Sequence, residues 1–411
     1  MPVFILVAVP SFDYTAPISA GAASYGQNQA NLVTKPFKHT LATIGEFGLI
    51  DRIAAHVAGG NGVITGIGDD AAVTALTPGM QLLTSTDMLL EEVHFRRSWH
   101  DPYRLGRKSL AVNVSDIAAM GGIPRWTTLS LAVPPNLPLD FLDECTRGFL
   151  DMAREHGVTL VGGDTCSSRS GLIISVTIMG EQRPDLIVRR SGARPGDDIW
   201  VTGTLGDAAL GLMALEGKIT PSPLMDPLGP KGEGRGGGED GSFTLPPAPS
   251  HQGRGGKSGT VFEDATRYLL SRLLDPTPRT VAGRALAESG LASAMIDISD
   301  GVIADFEHIA ELSGVGGTIR LDSLPLSSPF RTVAASFPTF PHHLALTGGE
   351  DYELAFTAPP DNREKIADLM KKCGIESAPV GIVTRLPGGV MVTQPDGSEF
   401  IPQRHGFTHF Q

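Results

Sequence analysis

The residues best suited to chemistry in this sequence are carboxylates gathered in short Gly-rich or Ser/Thr-rich junctions. They are Asp69-Asp70, Ser85-Thr86-Asp87, Ser115-Asp116, Gly162-Gly163-Asp164-Thr165, Asp297-Ile298-Ser299-Asp300 and Gly348-Gly349-Glu350-Asp351. Hard cations such as Mg²⁺ take oxygen ligands in octahedral geometry, commonly one or two carboxylates with waters and substrate phosphates completing the shell. Taken singly, an Asp after a strand is usually a helix cap or turn residue. That reading stays open for Asp116, Asp297 and Asp300, and it is strongest for Asp69. Six such junctions are harder to read as six caps, and together they predict a site that holds several divalent cations against phosphates. Arg107, Lys108 and Arg190 are candidate phosphate partners, with solvated surface charge as the alternative. His94 follows the Asp87 segment closely and is either a site residue or a satisfied surface histidine.

Two other motifs mislead. Gly66-Ile67-Gly68-Asp69-Asp70-Ala71 has the spacing of a dinucleotide fingerprint, but two carboxylates stand where the pyrophosphate would approach the backbone. The Gly253–Ser258 stretch resembles a Walker loop, yet His251 occupies the place of its first glycine.

The elements that must carry these junctions alternate between helix and strand. Phe47, Ile50, Ile53, Ala54 and Val57 predict one apolar helical face, and a short strand follows at 81–84. Asp101-Pro102 has the form of an N-cap and first helical residue, opening a helix that runs to Met120 and stops at Gly121-Gly122. A strand at 126–133, a helix at 139–156 ended by Gly157, and strands at 158–161 and 172–179 come next. Beyond Asp197-Asp198 the pattern gives a strand at 199–202 and helices at 207–216, 264–274 and 278–289. A strand at 294–298, a helix at 302–312, strands at 318–321 and 352–357, a helix at 362–372 and a strand at 379–383 complete it. In this layout most of the carboxylates fall just after a strand, where α/β proteins place ligands. Residues 1–43 lack periodicity and read as an irregular extension. Residues 218–262, with Gly234-Arg235-Gly236-Gly237-Gly238 and Pro246-Pro247, read as a disordered insertion. Two domains are expected, over 44–185 and 186–411.

A length of 411 residues suits two domains, and 41% apolar content lets each bury a core. The net charge of −12 argues against a nucleic-acid or anionic-membrane surface. An acidic chain that binds phosphates must therefore bring cations with it. Cys145, Cys166 and Cys373 form no CxxC pair, which fits a reducing, cytoplasmic setting. No apolar run approaches the roughly 20 residues of a membrane span. The stretch Pro2–Val9 has the length of a short signal-peptide apolar region but lacks the positively charged segment that precedes one, so export is not expected.

At these junctions the sequence resembles the thiamine-monophosphate kinases, a branch of the aminoimidazole-ribonucleotide synthetase superfamily. The resemblance is carried by GEF (45–47), GIGDDAAV (66–73), TSTDMLLEEVHF (84–95) and LAVNVSDIAAMGGIPRW (110–126). It continues in VGGDT (161–165), the 190–212 segment, IDISDGVIADFEHIA (296–310), LTGGEDYELAFT (346–357) and HGFTHF (405–410). It implies an N-terminal α/β domain that dimerises through its strands, and a C-terminal α+β domain. It implies transfer of the ATP γ-phosphoryl group to thiamine monophosphate. Asp70, Ser85, Thr86, Asp87, Asp116, Asp164, Asp297 and Asp300 would hold Mg²⁺. Gly163, Asp164, Arg190 and Ser299 would meet ATP, and His94, Glu350 and Phe407 the second substrate. A phosphate acceptor is already an anion near neutral pH, so no general base is required and none is evident. Glu92 stands where the family usually has Gly, and the 1–43 and 218–262 segments have no family counterpart. Other superfamily branches are disfavoured: no reactive Cys lies in a Gly-rich N-terminal segment, and the chain ends His409-Phe410-Gln411 rather than in Cys. Aminoimidazole-ribonucleotide synthetase itself and a non-catalytic nucleotide or metal sensor remain as competing readings, the latter separable by ATP turnover.

Overall fold

The computed structural model describes residues 41–219, 261–387 and 389–407. Most of the 1–43 extension, nearly all of the 218–262 segment and the end of the HGFTHF motif lie outside the described residues.

The first half comprises α1 (Leu41–Ala54), β1 (Val63–Thr65), β2 (Val73–Thr74), β3 (Gln81–Leu90), α2 (Pro102–Ala119), β4 (Ile123–Val133), α3 (Leu139–Glu155), β5 (Thr159–Ser167) and β6 (Ile173–Gln182). Strands β3-β6-β4-β5 form one sheet in that order, antiparallel except for the parallel β4–β5 pair. That pair is joined through α3, the crossover that parallel neighbours require. Side chains alternate across the sheet. Leu83 and Leu89 of β3, with Leu129, Leu131 and Val133 of β4, bury themselves against α2 and α3. The two helices cross closely. A Cβ at Gly106 would lie 1.8 Å from the Cys145 carbonyl oxygen, and one at Gly148 would lie 1.9 Å from that of Tyr103.

The second half comprises β7 (Asp198–Thr202), α4 (Asp207–Leu215), α5 (Val261–Leu274), α6 (Thr280–Ser289), β8 (Ala294–Ile298), α7 (Val302–Ser313), β9 (Gly316–Arg320), α8 (Ser328–Ala334), α9 (His342–Thr347), β10 (Glu353–Ala358), α10 (Arg363–Lys372), β11 (Ser377–Thr384) and β12 (Val390–Thr393). Its sheet has the order β12-β9-β11-β7-β10-β8 and is antiparallel except for β12–β9. Both faces are covered. Ile199, Val201, Ile296 and Ile298 pack on Val302, Ile303 and Phe306 of α7. Trp200, Met295, Leu354 and Phe356 pack on α6 and α10 through Leu286, Ile366 and Met370. Burying each of these aliphatic or aromatic side chains contributes about 1.5–3 kcal/mol. The expected fold class, an α/β half followed by an α+β half, is the one observed.

Three local expectations need correction. Phe47 is 77% exposed, whereas Leu49 and Ile53 are buried. Helix α1 is kinked at Gly45 (φ 68°) and ends at Ala54; of the expected face Ile53 is buried and Val57, beyond the helix, packs on the same core, while Phe47 does not. Strand β3 runs for 10 residues rather than four, because Ser85, Thr86 and Asp87 continue the pleat instead of ending it. The short α8, α9 and β12 carry too few apolar repeats for a periodic signal and were not expected.

Candidate active site

Helix α2 starts as its sequence dictates: Asp101 caps it by accepting from the Arg104 N–H at 3.0 Å, and Pro102 follows. The helix lies between the two sheets; Lys108 and Ser115, seven residues apart, fall on one helical stripe, and Asp116 is turned about 100° from Ser115 toward β3. Each makes a contact that builds the site. Asp116 Oδ2 accepts from Ser85 Oγ of β3 at 2.5 Å. Ser115 Oγ donates to Asp297 Oδ2 of β8 at 2.8 Å. Lys108, with no solvent exposure, donates from Nζ to Glu350 Oε2 at 2.8 Å. Close by, Asn113 Oδ1 accepts from the Asp87 N–H at 3.1 Å.

Asp87, Asp116 and Asp297 thereby face one another from β3, α2 and β8. Burial pushes the Asp87 carboxyl up to about 7, with the charge of Asp116 adding to the shift. Burial also raises Asp116, opposed by the Ser85 hydroxyl and by Arg190. Asp297 is raised to about 7 by burial, then by Asp116 and Asp87, against the Ser115 hydroxyl and Arg190. None of the three enters an ion pair among the described residues. Buried carboxylates without counter-charge are costly, so this arrangement asks for cations from elsewhere. Among the described residues no group of three His, Cys, Asp or Glu side chains is arranged to hold an ion alone. Mg²⁺ needs no such cage, since waters and phosphates supply most of its shell. The donor set fits that ion.

The loop after β8 is built around Asp305, which the sequence reading passed over. Its Oδ2 accepts from the N–H groups of Ser299, Asp300 and Gly301, each at 3.0 Å. Asp305 lies in the first turn of α7, a position that favours an acid. The Glu350 N–H donates to the Ser299 carbonyl at 2.8 Å, and the Phe407 N–H to that of Asp300 at 3.1 Å. Glu350, Phe407, Ser299 and Asp300 thus belong to one neighbourhood. His94 follows β3, and its Nδ1 accepts from the Leu90 N–H at 3.0 Å, which leaves the proton of a neutral ring on Nε2.

Other expected residues stand apart from the three carboxylates in this single chain. Asp70 is exposed, and its N–H donates to Asp69 Oδ1. Thr86 points to the opposite sheet face, where it donates to the Val176 carbonyl and contacts Thr177 Oγ1. Gly163 and Asp164 lie within β5 and are exposed. Ser85, Asp87, Asp164 and Asp297 therefore sit inside strands and Asp116 inside a helix, not just after strands. Arg107 is taken up by Glu155 and Asp275 and Lys108 by Glu350. Of the three candidate cations only Arg190 is exposed with its charge acting on the carboxylate group. Asn113 and Tyr352 are not among the residues the sequence points to, and Ser115 is there only as the neighbour of Asp116. Tyr352 is buried, and burial together with Glu350 and Asp87 raises its hydroxyl well above the ordinary value.

Comparison with known proteins identifies the relatives of this chain. The sequence models for the AIR synthase related protein N-terminal and C-terminal domains match residues 68–182 and 251–393. The thiamine-monophosphate kinase of Salmonella typhimurium is 34% identical over 367 residues, 89% of this chain and 98% of that protein. The crystal structure of thiamine-monophosphate kinase from Stenotrophomonas maltophilia superposes with a TM-score of 0.68 at 34% identity, over 87% of this chain and 98% of that one. A structure described as AaThiL complexed with AMPPCP and TMP gives a TM-score of 0.62 at 31% identity, covering 91% of this chain and all of that one. This chain belongs to the thiamine-monophosphate kinase family.

Proposed function

We propose that this protein transfers the γ-phosphoryl group of ATP to thiamine monophosphate, giving ADP and thiamine diphosphate, directly and in line. The observation that carries this is Asp87, Asp116 and Asp297 meeting from both sheets beside the Lys108–Glu350 pair. It occurs in a chain that matches thiamine-monophosphate kinases over nearly their whole length, including a relative described with AMPPCP and TMP. ATP and a phosphate monoester bring about five to six negative charges together. Mg²⁺ held at this site supplies the neutralisation that lets the phosphates approach both each other and the carboxylates.

The residues divide the remaining work. Ser85, Asp87, Asp116, Asp297 and Asp300 form the inner ligand set. Asp70, Thr86 and Asp164 form an outer one, on loop and sheet face. Arg190, Gly163, Asp164 and Ser299 receive ATP. Arg190 is the cation for its phosphates, and the amides held by Asp305 keep the Ser299 loop rigid. His94 and Glu350 bind polar groups of thiamine monophosphate, and Phe407, 50% exposed, offers its ring to the cationic thiazolium. No side chain has to remove a proton, because the attacking oxygen is already anionic. Rate enhancement then comes from positioning and charge stabilisation.

The protein works in the cytoplasm as a homodimer. The dimer reading is supported by β3, an edge strand of its sheet with Leu82 and Met88 about half exposed. No helix among the described residues is long and apolar enough to cross a membrane. The test is stereochemical. With ATP made chiral at the γ-phosphorus, direct transfer inverts configuration, whereas retention points to a phospho-enzyme and contradicts the mechanism. ATP hydrolysis unaffected by thiamine monophosphate contradicts the proposed acceptor.

A further inference from the structure

The turn that presents Glu350 is strained. Glu350 (φ 69°) and Tyr352 (φ 49°) are both non-glycine residues in the left-handed region, which persists only where the surroundings over-determine it. The Glu350 N–H is bound to the Ser299 carbonyl and the Tyr352 N–H to the Ile298 carbonyl, both at 2.8 Å. Between them, Asp351 Oδ2 accepts from the Gly206 N–H at 2.8 Å. The Asp351 carbonyl accepts from Arg272 Nη2 at 3.1 Å.

That same Nη2 donates to Glu353 Oε1 at 2.8 Å. Glu353 is fully buried and also accepts from Thr202 Oγ1 at 2.8 Å. A second guanidinium, Arg279, forks the same carboxylate, with Nε at 2.6 Å from Oε2 and Nη2 on Oε1. Arg279 makes no hydrogen bond to the turn. Neutralising a buried carboxylate takes one bidentate arginine, and Arg279 fills that role. Arg272 adds a grip on the strained backbone.

We propose that Arg272 is a positioning residue for the acceptor site. Anchored on Glu353, it fixes the Asp351 carbonyl and so holds Glu350 in register with Lys108 and the incoming acceptor. The inference rests on the reading of Glu350 as an acceptor-binding residue.

Steady-state kinetics on the full chain with Mg²⁺, ATP and thiamine monophosphate test it. Arg272→Lys keeps the charge but loses the two-way donor. It is expected to raise KM for thiamine monophosphate about tenfold, the scale of one charge-assisted hydrogen bond, while KM for ATP stays within about twofold. Arg279→Lys, which disturbs only the Glu353 end, is expected to lower thermal stability and leave both KM values near wild type. In a Glu350→Ala background, which itself raises the acceptor KM, Arg272→Lys should add less than about twofold. Equal KM effects of the two lysine variants, or a full Arg272→Lys effect in the Glu350→Ala background, would overturn the proposal. An unchanged acceptor KM in Glu350→Ala alone would show that the reading of Glu350 fails, and the proposal with it. Should Arg272→Lys not fold, Glu353→Gln, which loosens the anchor at constant volume, is expected to give the same signature at about threefold. An unchanged acceptor KM there is equally fatal.

Discussion

Asp297→Asn separates the electrostatic cost of the site from its chemistry. Burial and the charges of Asp116 and Asp87 raise this carboxyl from 3.8 to about 7, a shift of about three units, or about 4 kcal/mol. The folded state keeps a proton that the unfolded chain releases at about pH 4. Stability of the metal-free protein is therefore fully present below that value and lost as pH rises through about 7. Asn has no charge to bury and still offers an acceptor to Ser115 Oγ. In EDTA near pH 8, urea unfolding should find Asp297→Asn more stable than wild type by about 2–4 kcal/mol. Near pH 4, where the unfolded carboxyl is also substantially protonated, the two should agree within about 1 kcal/mol. Turnover with Mg²⁺ should nonetheless fall by a factor of about 10² or more, as for loss of one preorganised stabilising group. A variant less stable than wild type near pH 8, a stability difference independent of pH, or near-normal turnover would refute the reasoning.

The same field predicts that Mg²⁺ raises the urea midpoint of wild type more near pH 8 than near pH 6. Equal shifts would detach the cation from Asp87 and Asp297. Lys108→Met leaves Glu350 without its ammonium partner, so KM for the acceptor should rise about tenfold with little change for ATP, as read from initial rates. Glu92 sits at φ 68°, a conformation costing an L-residue about 1–2 kcal/mol. Glu92→Gly is expected to stabilise the chain by up to about 1 kcal/mol in denaturant titration, the relief of strain being partly offset by the greater unfolded-state entropy of glycine. Gly203→Ala would place a Cβ 2.2 Å from Glu353 Oε1, and should cost about 3 kcal/mol or more in the same measurement.

Much of the fold was legible because local signals agreed with it. The Asp101-Pro102 start and Gly121-Gly122 stop of α2, and the Gly157 stop after α3, are backbone requirements written into residue type. The end of β3 was not legible, since Ser85-Thr86-Asp87 has the composition of a junction. Only its pairing along the whole of β6 keeps it extended. The unusual role of position 92 was visible as a departure from family pattern, and the positive φ at Glu92 supplies its physical meaning.

At the site, sequence reading found Asp87, Asp116 and Asp297 but not how they meet. That depends on α2 lying between two sheets far apart in the chain. It also gave Lys108 to phosphate, whereas the fold buries Lys108 against Glu350. A lysine's partner 242 residues away leaves no local trace. Arg272 and Glu353, 81 residues apart, escaped for the same reason, whereas Asp305 escaped although its backbone partners are local, at Ser299, Asp300 and Gly301. Each binds backbone or buried charge, and in the sequence such residues look like ordinary helix-surface or strand polar groups.

The most direct test of the central claim is to incubate the purified protein with ATP, Mg²⁺ and thiamine monophosphate and resolve the products by chromatography. The account predicts ADP and thiamine diphosphate in equal amounts, with both absent in EDTA. ATP binding without thiamine diphosphate, under conditions where the protein is folded and Mg²⁺ is saturating, would contradict it.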